Sequence, residues 1–377
     1  MELCPEILAY IESHRQEAFD LLVQLAQIPA PSNYEEKRAE FCRDWLRDQG
    51  AEGVYIDEAL NVVYPVGCTE DNGLMVFMAH SDVVFPDTQP LPLRVEDGKI
   101  FCPGISDDTA NVVALLIAAK YIAQTGITPK DCGLLLIVNS GEEGLGNLKG
   151  SRHIMERFGS RIREFVTFDG LTDALVDRAV GSMRYRIRVA TEGGHSFSAF
   201  GNRNAIAYLA SMINALYAVA LPPKGKTTYN VGVISGGTSV NTIAQHAEML
   251  YEFRSDARES LAYMEQFLMQ TLEDYRAKGV TVDCQLIGNR PCGGDVDPAA
   301  QAALIRRAAE VTTLYYGTEP QCKSGSTDCN IPLSMGIPSV CVGCVRGKGA
   351  HTREEEAEIA SLLPGLKVAF HMILEHF

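Results

Sequence analysis

The feature that most constrains this chain is the unbroken apolar run Leu134-Leu135-Leu136-Ile137-Val138, introduced by Gly133 and followed by Asn139-Ser140-Gly141-Glu142-Glu143-Gly144. A short aliphatic run bounded by glycines reads as a strand buried on both faces, the kind found in a sheet covered by helices on either side. Open α/β sheets place their chemistry where such a strand ends. Here the strand ends in two adjacent carboxylates. Neighbouring side chains diverge, so one carboxylate can grip a metal while the other stays free as a general base. Alone, a Glu-Glu pair in a loop is more often a solvated turn, so the weight rests on what other strand ends carry.

Two further runs end in the same way. Leu74–Ala79 reads as a buried strand and delivers His80-Ser81-Asp82 at its end. A histidine with an aspartate two residues on is either a capped, satisfied imidazole or a ligand with a carboxylate to fix its tautomer. Phe165–Phe168 is a third strand, closed by Asp169-Gly170. Between the first two lies Gly104-Ile105-Ser106-Asp107-Asp108-Thr109-Ala110, ahead of a strongly apolar helix over about 109–124. Ser106, Asp107 or Asp108 would make a good N-cap there, and one carboxylate can cap while the other does something else. Three strand ends bearing His80, Glu142/Glu143 and Asp169, with an Asp-Asp loop between them, read together as a metal site.

The chain order gives the organisation. Helical periodicity covers about 5–28, Pro29-Ala30-Pro31-Ser32 breaks it, and a second helix over about 34–49 ends at Gly50. The rhythm changes near residue 181. Met183–Thr191 alternates Tyr185, Ile187 and Val189 with Arg184, Arg186 and Arg188, as a half-exposed antiparallel strand does. A helix over about 203–220, strands near 227–235 and 247–254, a helix over about 259–278 and a strand over about 280–287 complete a β-α-β-β-α-β order, that of a ferredoxin-like module. A helix over about 298–316, the stretch Lys323–Asp328, the strand Ser339–Val342 and a final helix then resume the first pattern. The expected organisation is a catalytic domain over 1–180 and 289–377, interrupted by an inserted module over 181–288.

Composition narrows the partners. With 33 basic and 48 acidic residues the net charge is −15 and no basic cluster stands out, which argues against nucleic acid or an anionic membrane surface. No signal-peptide core or membrane-length apolar run is present, and an odd count of 11 cysteines suits reduced thiols in a cytoplasm. The C-x-x-C of Cys341 and Cys344 lies in an apolar strand-like run and reads as packing rather than redox or metal chemistry.

Taken in order, His80-Ser81-Asp82, Gly104-Ile105-Ser106-Asp107-Asp108, Gly141-Glu142-Glu143-Gly144, Phe168-Asp169-Gly170 and Gly349-Ala350-His351 resemble the five ligand motifs of the dizinc exopeptidases. That family includes peptidase T, the carnosinases, carboxypeptidase G and the aminoacylases, and the resemblance spans nearly the whole chain. It implies an α/β catalytic domain, a mixed sheet flanked by helices, carrying an inserted ferredoxin-like lid and dimerisation domain. It also implies that Asp107 bridges two divalent ions, zinc or else cobalt or manganese. One ion would take His80 and Asp169, the other Glu143 and His351. Glu142 would be the general base and Asp82 the partner that orients His80.

The inserted module matches less tightly. Gly193-Gly194-His195-Ser196 with Asn204-Ala205-Ile206 resembles a lid motif whose histidine reaches the substrate carbonyl, in many members from the partner subunit. Gly236–Asn241 and Arg254 resemble the groups that hold a substrate carboxylate, which assigns Asn241 and Arg254 to binding. Where many members carry an arginine before the Gly-x-Thr-Asp turn, this chain has Ser324, leaving Arg254, Lys323 or Arg346 as substitutes. Asp rather than Glu at 169 goes, in this family, with aminopeptidases. The resemblance thus implies a homodimeric di- or tripeptide aminopeptidase closest to peptidase T. The alternatives are an N-acyl-amino-acid amidohydrolase with the same metals, or a non-catalytic metal-binding scaffold, which would not need Glu142.

Overall fold

In a computed structural model, which describes residues 2–377 apart from the side chain of Leu145, the chain divides into two compact units. One comprises Met1–Ala179 with Gly294–Phe377, the other Val180–Gly293. The first begins with helices α1 (Pro5–Ser13) and α2 (Arg15–Ala26), which break at His14 instead of running on as the periodicity suggested, and α3 (Glu36–Asp48). Strands β1 (Tyr55–Ile56), β2 (Val62–Val66) and β3 (Leu74–His80) follow, then a small hairpin of β4 (Arg94–Glu96) and β5 (Lys99–Phe101). Helix α4 (Ala110–Thr125) is buried along nearly its whole length. Strand β6 (Gly133–Asn139), helix α5 (Lys149–Phe158), β7 (Ile162–Phe168) and β8 (Ala174–Ala179) complete this half.

The second unit is β9 (Gly181–Ala190), the short β10 (Gly194–His195), α6 (Ala205–Tyr217), β11 (Thr227–Gly236), β12 (Thr242–Ile243), β13 (His246–Ser255), α7 (Arg258–Arg276) and β14 (Thr281–Arg290). Four of these strands form an antiparallel sheet in the order β11-β13-β9-β14, a ferredoxin-like topology. Met183, Tyr185, Ile187 and Val189 pack with Leu209, Met212 and Leu216 of α6 and Met264, Leu268 and Leu272 of α7. On the alternate positions Arg184 pairs with Glu252 and Arg188 with Glu248. This is the period-2 division of an antiparallel strand with one covered face.

The chain then returns to the first unit with α8 (Pro298–Tyr316), β15 (Gln321–Gly325), α9 (Asn330–Ser334), β16 (Ser339–Val342), β17 (Gly347–Lys348), β18 (Glu356–Glu358) and α10 (Ile359–Leu374). The main sheet has eight strands in the order β1-β2-β6-β3-β7-β16-β8-β15, mixed in direction, with β6, β3, β7 and β16 mutually parallel. Its two faces feed two cores. Leu134, Leu136 and Val138 point into the one built with α2, α4, α8 and α10, and Leu135 and Ile137 into the one built with α5 and α9. That explains why residues 134–138 of β6 are apolar without a break. Burying each such side chain contributes roughly 1.5–3 kcal/mol.

Candidate metal centre

Because β3, β6 and β7 run parallel and β3 pairs with β6 in register up to His80 opposite Asn139, their carboxyl ends share one edge of the sheet. His80 closes β3, Glu142 and Glu143 follow β6, and Asp169 follows β7. The loop after the parallel β16 brings in His351, whose backbone takes a left-handed φ of 64°. Non-glycine residues rarely adopt that conformation, and it recurs where a side chain is held for a purpose. Asp107 sits on a turn entered through Gly104, φ 77°, where a Cβ would run into Val83 Cγ1.

Asp107 stands between the two histidines. Its Oδ1 lies 3.1 Å from His80 Nε2 and its Oδ2 3.1 Å from His351 Nε2. Glu143 Oε1 is 3.0 Å from His351 Nε2, and Asp169 Oδ1 is 4.0 Å from His80 Nε2. Donor atoms about one tetrahedral zinc, each ~2.0–2.1 Å from it, are separated by roughly 3.3 Å. The spacings among Asp107, Glu143 and the two histidines are of that size, and the one from Asp169 to His80 is longer. His80, Asp107 and Glu143 form one group able to hold an ion; His80, Asp108 and Asp169 form another. Glu142 belongs to neither among the described residues.

The electrostatics fit the same donor set. Burial outweighs the bond from His351 and, with the charges of Asp107 and Glu142, pushes Glu143 up to about 7. Burial likewise drives Asp169 and Asp108 well above the usual carboxylate range. Burial would raise Asp107 too, but its bonds to His351 and His80 hold it below that range. The bonds to Asp107 and Glu143 lift His351 to about 10. Two imidazoles and three carboxylates thus share protons where two dications would satisfy them all. In metal-free protein, Glu143 keeps a proton that the unfolded chain releases above about pH 4.5, so its share of stability is lost as pH rises to about 7. His351 loses its share between about 6.5 and 10. The expected result for metal-free protein is a lower urea midpoint at pH 8 than at pH 5, and a much flatter profile with metal bound. Equal slopes with and without metal would count against this centre.

A second layer holds these groups. Asp82 is fully buried; its Oδ1 accepts the N–H of Glu142 at 2.9 Å, and its Oδ2 accepts the N–H of Glu143 at 3.0 Å and the Ser32 hydroxyl at 2.7 Å. Towards His80 Nδ1 it offers both its backbone carbonyl, at 3.0 Å, and its carboxylate Oδ1, at 3.5 Å. Asp108 accepts from the His80 N–H at 2.9 Å and from Asn111 Nδ2 at 2.5 Å. Glu355, not foreseen in the sequence, accepts from the N–H groups of Gly104, Ser106 and Asp107 and from the Ser106 hydroxyl, fixing the Asp107 turn. Asp328, also buried, accepts from Asn139 Nδ2 at 2.6 Å, and burial with the charge of Glu142 raises it to about 7.

The remaining expected residues lie in the second unit. His195 pairs with Thr242 between β10 and β12, is exposed, and its Nδ1 accepts the Phe197 N–H at 3.2 Å, which leaves the proton on Nε2. Asn241 Oδ1 accepts from the Ser239 hydroxyl, and Arg254 is bound to Glu252 at 2.7 Å. In the first unit Ser324 Oγ accepts from Arg178 Nε at 3.2 Å, so a guanidinium from β8 reaches the position where the sequence lacks one. Arg346 is turned to the Tyr316 ring and carbonyl.

Comparisons with known proteins agree with this fold. A tripeptidase from Staphylococcus aureus shares the fold with a TM-score of 0.76 at 20% identity, over 96% of this chain and 98% of its own. Aminopeptidase PepT from Bacillus cereus gives 0.71 at 20% identity, over 96% and 98%. An acetylornithine deacetylase from Myxococcus xanthus is 24% identical over 85% of this chain and 83% of its own. The profile of peptidase family M20/M25/M40 matches residues 76–375, from the middle of β3 to the end of the last helix. The chain belongs to that family and is a metal-dependent hydrolase.

Proposed function

We propose that the protein is a dinuclear exopeptidase that removes amino-terminal residues from di- and tripeptides. The observation that carries this reading is the division of Asp107, one oxygen towards His80 and the other towards His351, with a further carboxylate beside each histidine. Asp107 would bridge two zinc ions, His80 and Asp169 completing one and Glu143 and His351 the other, with cobalt or manganese able to use the same donors. Such a pair of ions, when bound, acidifies a water and polarises the scissile carbonyl. Glu142, buried and held through its N–H by Asp82, takes the proton of the attacking water and delivers it to the leaving amine. Asn241 and Arg254 are assigned to the substrate carboxylate, Arg254 exchanging Glu252 for it.

Asp169 at the fourth ligand position favours an aminopeptidase. The likeness to the Myxococcus deacetylase favours the second reading, an N-acyl-amino-acid amidohydrolase. A zinc-loaded assay on a tripeptide, a dipeptide and an N-acetyl amino acid decides: faster turnover of the peptides, tenfold or more, is expected. The opposite order would install the deacylase, and no turnover of any would sink both. The 11 free thiols suit a reducing cytoplasm.

His195 is assigned to the oxyanion, for which its Nε2–H is a donor. His195→Ala is expected to lower turnover by about 10²–10³ while sparing metal content. A homodimer through the second unit is also proposed, since Ile206, Tyr217, Val233 and Ile234 leave large apolar surface exposed there. If His195 serves a partner's site, mixing His195→Ala with Glu142→Ala chains restores part of the activity. A mixture that stays inactive despite subunit exchange assigns His195 to its own chain, and a monomer by sedimentation disposes of the dimer.

A further inference from the structure

A cavity of about 590 Å³ opens in the first unit beside the candidate metal centre. Pro31, Tyr34, Val84 and Pro86 supply its apolar wall, Ser32 and Thr88 two hydroxyls, and Gly144 its inner edge. We infer that this cavity is the subsite for an apolar side chain of the substrate, an inference that rests on the peptidase reading above.

Position is the first argument. The wall is a direct continuation of the segments that build the centre. Ser32 donates to Asp82, the carboxylate that also holds the N–H groups of Glu142 and Glu143. Pro31 bridges to Val83, the residue after Asp82, and Gly144 is the residue after Glu143. A substrate with its scissile carbonyl at the centre therefore has a neighbouring side chain at the mouth of this cavity.

Chemistry is the second. Among the described residues lining the cavity none is charged. Asp87, in the same loop, is already bound through both oxygens to Arg353, at 3.1 and 2.7 Å, and Arg353 lies over the Phe85 ring. Asp87, the one charged residue of 83–93, is thus already engaged. Tyr34 is 69% exposed and Val84 36%, apolar area that a bound side chain would cover. The volume lies in the usual range of ligand sites, about 300–1,000 Å³, and is large enough for leucine or phenylalanine.

The test uses full-length zinc-loaded Glu142→Gln protein, which binds without turnover, and titration calorimetry with Leu-Gly, Gly-Leu, N-acetyl-leucine, Gly-Gly, Asp-Gly and Lys-Gly. One leucine compound should bind about 10- to 100-fold more tightly than Gly-Gly, with Asp-Gly and Lys-Gly no better than Gly-Gly. Which leucine compound it is tells whether the cavity takes the first residue, the second, or an acyl-linked side chain. Adding Val84→Asp, on an exposed loop, should erase that preference and favour Lys-Gly at unchanged metal content; Tyr34→Ala should weaken leucine binding alone. If wild-type enzyme cleaves peptides yet all six ligands bind within twofold, or both variants keep the leucine preference, the subsite is wrong and the peptidase reading stands. If nothing is bound or cleaved, the peptidase reading falls and the subsite with it.

Discussion

Glu142→Ala is expected to retain two ions per chain and to lose about 10²–10⁴ in turnover. The separation of the two effects follows from the local architecture. Glu142 and Glu143 are successive residues whose N–H groups are held by the two oxygens of one buried carboxylate, Asp82. Removing the Glu142 side chain leaves that clamp, and hence the position of Glu143, untouched. Metal analysis beside a kinetic assay reads both quantities. Near-normal turnover, or loss of both ions, would remove Glu142 from the role of base.

The second large effect belongs to Asp107. Asp107→Ala should release both ions and lower activity by about 10³–10⁴ or more, because each histidine group loses its shared carboxylate. His80→Ala and His351→Ala should each weaken one ion. Asp108→Ala should keep far more metal and instead cost about 1–3 kcal/mol of stability, since the His80 N–H and the Asn111 amide lose a fully buried acceptor. The reverse result, Asp108→Ala stripping both ions and Asp107→Ala neither, would place the bridge one residue later.

The parts of this arrangement legible in the sequence are those with a strong local pattern. The aliphatic runs of β3, β6 and β7 are buried on both faces, and the residues that end them are fixed by the ends of the runs. Strand β15, Gln321–Gly325, carries no such pattern, because it lies at the sheet edge, mostly exposed, and pairs on one side only, with β8. The supporting residues were hidden for a different reason. Glu355 stands in Arg353-Glu354-Glu355-Glu356, a charge run that ordinarily marks a solvated face, yet it is buried against a turn 248 residues earlier. Asn111 looks like a helix polar residue, but links Asp108 to the N–H of Cys344. No local periodicity encodes contacts of that range.

The same long-range contacts set a clock on the protein's synthesis. His80, Asp107, Glu142, Glu143 and Asp169 are all made before the 114-residue interruption Val180–Gly293, whereas His351 and Glu355 come after it. The turn that presents Asp107 waits for an anchor made 248 residues later, roughly 12–50 s at 5–20 residues per second. Until then the growing chain holds only part of the donor set on an unanchored loop. A metal-dependent hydrolase built in this order lacks His351 and the anchor of its Asp107 turn until the last few dozen residues have been made.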